Sequence, residues 1–89
     1  QMEEQHSRLT EKGHSRVSPF FIPATIANLA PGWISINHGI KGPNFTITSA
    51  CASGVHSIGE AYNYIRFGMT DHMIAGGAES TVSPLAIAG

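Results

Sequence analysis

The residues best suited to covalent or proton-transfer chemistry in this chain are one cysteine, Cys51, and five histidines. Cys51 lies in the run Ser49-Ala50-Cys51-Ala52-Ser53-Gly54. Residues before it alternate, with Phe45 and Ile47 on one face and Thr46 and Thr48 on the other, which reads as a strand. After it, Val55, Ile58, Tyr62 and Ile65 recur at three- and four-residue steps, which reads as one face of a helix over residues 52–67. A thiol at that joint meets the unpaired N–H groups and the positive end of a helix. Both favour the thiolate, the nucleophilic form. The same position would also suit a small buried hydrophobe. The small neighbours Ala50, Ala52, Ser53 and Gly54 favour the nucleophile, because they let a ligand approach the sulfur closely.

A thiol needs a proton partner, and His56 is the nearest histidine in sequence. Five residues along a helix correspond to about 500° of rotation, which leaves His56 about 140° around from Cys51. It is therefore expected to be a packed histidine rather than a partner of the thiol. His6, His14, His38 and His72 show no zinc-ligand spacing with the cysteine, so no metal site is expected. Gly54 and Gly59 do not form a dinucleotide fingerprint, and no cofactor is expected.

The elements that would hold these residues follow from the punctuation. Residues 1–12 are polar and helix-prone and stop at Gly13. Residues 13–23 read as a loop marked by Pro19 and Pro23. Residues 24–39 are helical in pattern, and Pro31-Gly32 predicts a kink or two short helices there. Gly68 suits the end of the helix after Cys51, and residues 72–76 read as a second strand. Gly76-Gly77 predicts close backbone approach, and Glu79 is expected to be a paired, buried carboxylate.

The run from Ser49 to Ala61 resembles the nucleophile segment of the β-ketoacyl-acyl-carrier-protein synthases. Three further blocks match that family in order and spacing: Val17-Ser18-Pro19-Phe20-Phe21-Ile22-Pro23, Gly39-Ile40-Lys41-Gly42-Pro43-Asn44, and Asp71-His72-Met73-Ile74-Ala75-Gly76-Gly77-Ala78-Glu79. The Gly-Pro before the strand and the Ser-Gly after the cysteine look more like the type II synthases than type I. Modular polyketide ketosynthases and thiolases are more distant. Pro31 departs from the family, which has small non-proline residues there. The resemblance implies an α/β class and a thiolase-like layered α-β-α fold, of which residues 1–89 would be part of the N-terminal half. The strand before Cys51 would lie at a sheet edge, pairing residues 44–49 antiparallel with a second copy in a homodimer. The two strands would not touch each other, because others separate them.

The resemblance further implies a decarboxylative Claisen condensation. Cys51 would take an acyl group from acyl carrier protein, and a malonyl thioester would lose carbon dioxide and attack it. The Cys51 N–H would supply part of an oxyanion hole. Phe21 matches a position that borders the acyl pocket of the partner subunit, though an ordinary packed aromatic would look the same. Arg16 matches a contact for the acidic carrier protein; Ser15 stands where the family carries a second charge, so the patch is expected to be thin. The catalytic histidines and lysine of the family fall beyond Gly89, and none of the five histidines here takes their role. A non-catalytic, thiolase-like dimer partner is the alternative, but such subunits lack the cysteine.

Composition narrows the class. The net charge is −1 and charged residues are 12% of the chain, about half the globular average of roughly 25%. Neither nucleic acid nor an anionic membrane is suggested. A single cysteine forms no internal disulfide and suits a reducing compartment, the cytoplasm or an organelle stroma or matrix. No apolar run approaches the ~20 residues of a membrane span. A chain of 89 residues that opens without Met and closes on an apolar run reads as an internal piece of a longer protein. Asn44-Phe45-Thr46 fits a glycosylation sequon, read as accidental in a half-buried strand.

Overall fold

The first helix shows how directly local chemistry sets local structure. In the computed structural model, which describes residues 1–89, α1 spans Met2–Lys12. Glu3 and Glu4 occupy its positive first turn and Lys12 its last. Gly13 stops it at φ 84°, its N–H bonded to Leu9 O. Gln5 is the buried polar residue of the chain, and its Oε1 accepts the Ser18 N–H at 2.7 Å. That bond ties the loop after α1, with its 3-10 turn at His14–Arg16, back onto the helix.

Two prolines begin helices rather than break them. α2 is Phe21–Thr25 and α3 is Leu29–His38. Pro23 and Pro31 each occupy the third helical position, where a missing N–H leaves no intrahelical bond unmade. The expected break at Pro31-Gly32 therefore falls earlier, at residues 26–28, and α2 starts inside the expected loop. Gly39 closes α3 in the left-handed region, φ 62° and ψ 30°, and gives its N–H to Ser35 O.

A second correction concerns the strands. Residues 43–49 and 72–80 have no ladder pairing, and the chain contains no β-strand. A strand needs the backbone of a neighbour, and here neither segment has one. Side chains hold the first segment instead: Asn44 Nδ2 donates to Pro31 O at 3.1 Å and Thr46 Oγ1 to Ala27 O at 3.2 Å. The second passes close to the helix after Cys51, since a Cβ on Gly77 would lie 3.6 Å from Gly54 Cα. That is ordinary contact rather than the close approach expected of Gly76-Gly77, and a Cβ on Gly76 would meet nothing within 4 Å. Glu79 also departs from expectation: it is exposed and forms no ion pair, because no element packs over it.

The helix after Cys51, α4, spans Ser53–Arg66 and ends through Gly68, φ 75°, whose N–H bonds to Ile65 O. Its apolar stripe is open: Val55 is 77% and Ile58 60% exposed. Its covered side carries Ala61, and Tyr64 stacks at a tilt on Phe45 with ring centroids 5.5 Å apart. The last helix, α5 at Pro84–Ala88, is anchored to α1 by Glu3, whose Oε1 accepts from Ser83 Oγ at 2.7 Å and Leu85 N–H at 3.1 Å.

Only 2 of 89 residues are buried, Ala61 and Gln5, so there is no continuous core. The radius of gyration is 16.6 Å, against about 12 Å for a compact domain of this length. The shape is an open slab of 52 × 30 × 15 Å with apolar faces on view. No helix is long and apolar enough to cross a membrane.

Candidate active site

Cys51 is the middle residue of a 3-10 turn, Ala50–Ala52, that runs straight into α4. Its thiol is free and exposed. The helix half of the expected joint is present, beginning at Ser53 rather than Ala52. The strand half is an unpaired segment, as described above.

The turn is unusual in its backbone. Ala50 has φ 52°, the one positive value at a residue other than glycine. Holding an L-residue there costs about 1–3 kcal/mol, so neighbouring bonds must compensate. They are present. Ala52 N–H bonds to Ser49 O at 3.1 Å. Ser53 Oγ accepts the Ser49 N–H at 2.8 Å and donates to Ala50 O at 2.7 Å. The turn bond uses Ala52 N–H, so the Cys51 N–H is not used in it. A Cβ built on Gly54 would have no atom within 4 Å, so the outer side of the first turn of α4 is open at that residue.

His56 is not a buried packing residue, contrary to expectation. It is exposed, and its Nδ1 lies 3.0 Å from Ser49 Oγ. Its Nε2 lies 3.7 Å from Glu60 Oε1. The histidine thus addresses the turn through Ser49 rather than the thiol, which agrees with its angular separation from Cys51. Sequence reading missed Ser49 and Glu60, although the i, i+4 spacing of His56 and Glu60 was there to be seen.

Phe21 and Arg16 sit away from this turn, on the α1 side. Phe21 is half-buried at the start of α2 and lines an apolar groove with Met2, Leu9 and Val17. Arg16 is exposed and lines a polar groove with Arg8, Lys12 and Ser15. Arg8 and Lys12, one helical turn apart on α1, thus lie beside Arg16 and Ser15. Arg8 also pairs with Glu4 at 3.1 Å, an exposed contact of about 0.3–0.5 kcal/mol. No three or more His, Cys, Asp or Glu side chains converge as metal ligands would.

Comparison with known proteins adds a family. Residues 1–89 match the family described as Beta-ketoacyl synthase, N-terminal domain. The 3-oxoacyl-[acyl-carrier-protein] synthase 2 of Vibrio harveyi is 49% identical over 88 residues, covering 99% of this chain and 21% of the relative. The protein of the same name from Vibrio cholerae matches at the same identity and coverage. That of Staphylococcus aureus is 49% identical over 84 residues, 94% of this chain and 21% of the relative. The chain thus spans about one fifth of the length of the curated relatives it matches.

Proposed function

Because the chain belongs to the β-ketoacyl synthase N-terminal domain family, we propose that it supplies the nucleophile of an acyltransferase that lengthens fatty-acid chains. Residues 1–89 would form part of the N-terminal half of that enzyme, within a thiolase-like layered fold. The observation that carries the reading is Cys51, exposed on a turn with positive φ at the head of α4.

In the first step the Cys51 sulfur attacks the carbonyl of an acyl thioester borne by acyl carrier protein. A C–S bond forms, the carrier thiol leaves, and the acyl group rests on Cys51. A malonyl thioester then loses carbon dioxide, and the electron pair released becomes an enolate. The enolate carbon attacks the acyl carbonyl, a C–C bond forms, and the Cys51 thiolate departs. Negative charge develops on the carbonyl oxygen in both steps, and the Cys51 N–H would donate to it there. The exposure of Cys51 leaves its sulfur accessible to the acyl group.

The carrier protein is the partner, and the groove of Arg8, Lys12 and Arg16 is its landing site. Three clustered cations suit an acidic surface and would speed encounter more than they tighten the final complex. Phe21 borders the acyl pocket of a second copy in a homodimer, with residues 44–49 pairing across the two-fold; an unpaired apolar edge is a hazard that such pairing removes. A cytoplasmic place of action goes with this reading.

The test is intact mass of the full-length protein after incubation with an acyl carrier thioester. A mass gain of one acyl group is expected, and none in Cys51→Ala. An acyl adduct that persists in Cys51→Ala would overturn the assignment.

A further inference from the structure

We infer that His56 is a positioning residue for the Cys51 turn, acting through Ser49, with Glu60 fixing its imidazole from behind. The inference rests on Cys51 being the nucleophile. Helical side chains lean toward the N-terminus of their helix, so a residue in the first turn can reach the segment before it. His56 is the fourth residue of α4 and reaches back to Ser49, with Nδ1 3.0 Å from Oγ. Glu60, one turn on, leans the same way and brings Oε1 to 3.7 Å from His56 Nε2. At 3.7 Å the carboxylate acts on the ring through charge rather than a hydrogen bond, while Nδ1 and the Ser49 hydroxyl share one proton at 3.0 Å.

Ser49 is the entry to the turn, and it is held on every polar atom. Its carbonyl takes the Ala52 N–H at 3.1 Å, its N–H goes to Ser53 Oγ at 2.8 Å, and its hydroxyl to His56. The next residue is Ala50 at φ 52°, and the one after is Cys51. Releasing the hydroxyl frees the residue that fixes the direction from which the thiol leaves the turn. His56 bonds to Ser49 and not to the sulfur, so its effect is on geometry rather than on proton transfer.

The experiment uses the full-length protein with His56→Ala, Ser49→Ala, the double variant and His56→Asn, whose amide can stand near the Nδ1 position. Single-turnover acylation from an acyl carrier thioester is followed by mass, with KM and Tm measured alongside. His56→Ala and Ser49→Ala should each slow acylation about tenfold, with KM for the carrier unchanged. The double variant should be no slower than either single one, because both remove one interaction. His56→Asn should recover most of the rate. Wild-type acylation in a folded His56→Ala, losses that add in the double variant, or no recovery in His56→Asn would each overturn the inference. Should His56→Ala fail to fold, Ser49→Ala, which removes a single hydroxyl, decides the matter. Cys51→Ala separates the two claims: acylation there defeats the nucleophile assignment, whereas silence there with full rate in His56→Ala defeats only the positioning role.

Discussion

Removing one oxygen atom, in Ser53→Ala, should unlock the turn that presents Cys51. Ser53 Oγ makes two bonds, accepting from Ser49 N–H at 2.8 Å and donating to Ala50 O at 2.7 Å. Each hydrogen bond is worth a net of about 0.5–1.5 kcal/mol, so the pair contributes roughly 1–3 kcal/mol. Ser53 is half-buried, which places the pair in the lower part of that range, about 1–2 kcal/mol. The positive φ of Ala50 costs about 1–3 kcal/mol. The two quantities are of the same size, so the turn is close to balance and loses its compensation in Ser53→Ala. Each 1.4 kcal/mol is roughly a factor of ten. Acylation of Cys51 in the full-length protein, followed by rapid quench and mass, should therefore slow about 5- to 30-fold. Ser57→Ala is the control, since Ser57 Oγ bonds only to Ser53 O, at 2.9 Å, inside the helix. Its effect should stay within about 0.5 kcal/mol. Adding Ala50→Gly to Ser53→Ala should recover part of the rate, because glycine holds a positive φ without strain. Acylation within twofold of wild type in Ser53→Ala would refute the reasoning.

Other outcomes follow from the grooves and from burial. Lys12→Glu with Arg16→Glu should raise KM for carrier-borne substrates and leave small-molecule thioesters unaffected, and the wild-type advantage should shrink as salt rises. An unchanged KM across ionic strength would remove the carrier protein from that groove. Residues 1–89 alone should melt without a cooperative transition and bind a hydrophobic dye, because two buried residues cannot offset ~1–2 kcal/mol of backbone entropy per residue. A sharp two-state transition in a monomer would contradict this.

Much of the helical structure was legible because a helix bonds within its own sequence. The three- and four-residue steps after Cys51 gave α4, and Gly13, Gly39 and Gly68 marked its neighbours' ends and its own. The cysteine at the head of that helix was legible for the same reason. Pro31 was misjudged because a proline is tolerated or not according to where the helix begins, which the pattern of apolar residues leaves open. The alternation at residues 45–48 is genuine in the sequence, but a strand exists only with a partner backbone, and none pairs with it here. Which side chains converge was likewise decided by the turns. The 3-10 turn at His14–Arg16 swings Arg16 beside Arg8 and Lys12, and the turn at Ala50–Ala52 brings Ser49 under His56. Sequence alone thus determined α1, α4 and the place of the thiol, whose causes lie within a few residues, whereas α2 and α5 were not read from it. The tertiary structure decided strand pairing, burial and the neighbours of Cys51 and Arg16, because those depend on the path of backbone between residues that the sequence sets apart.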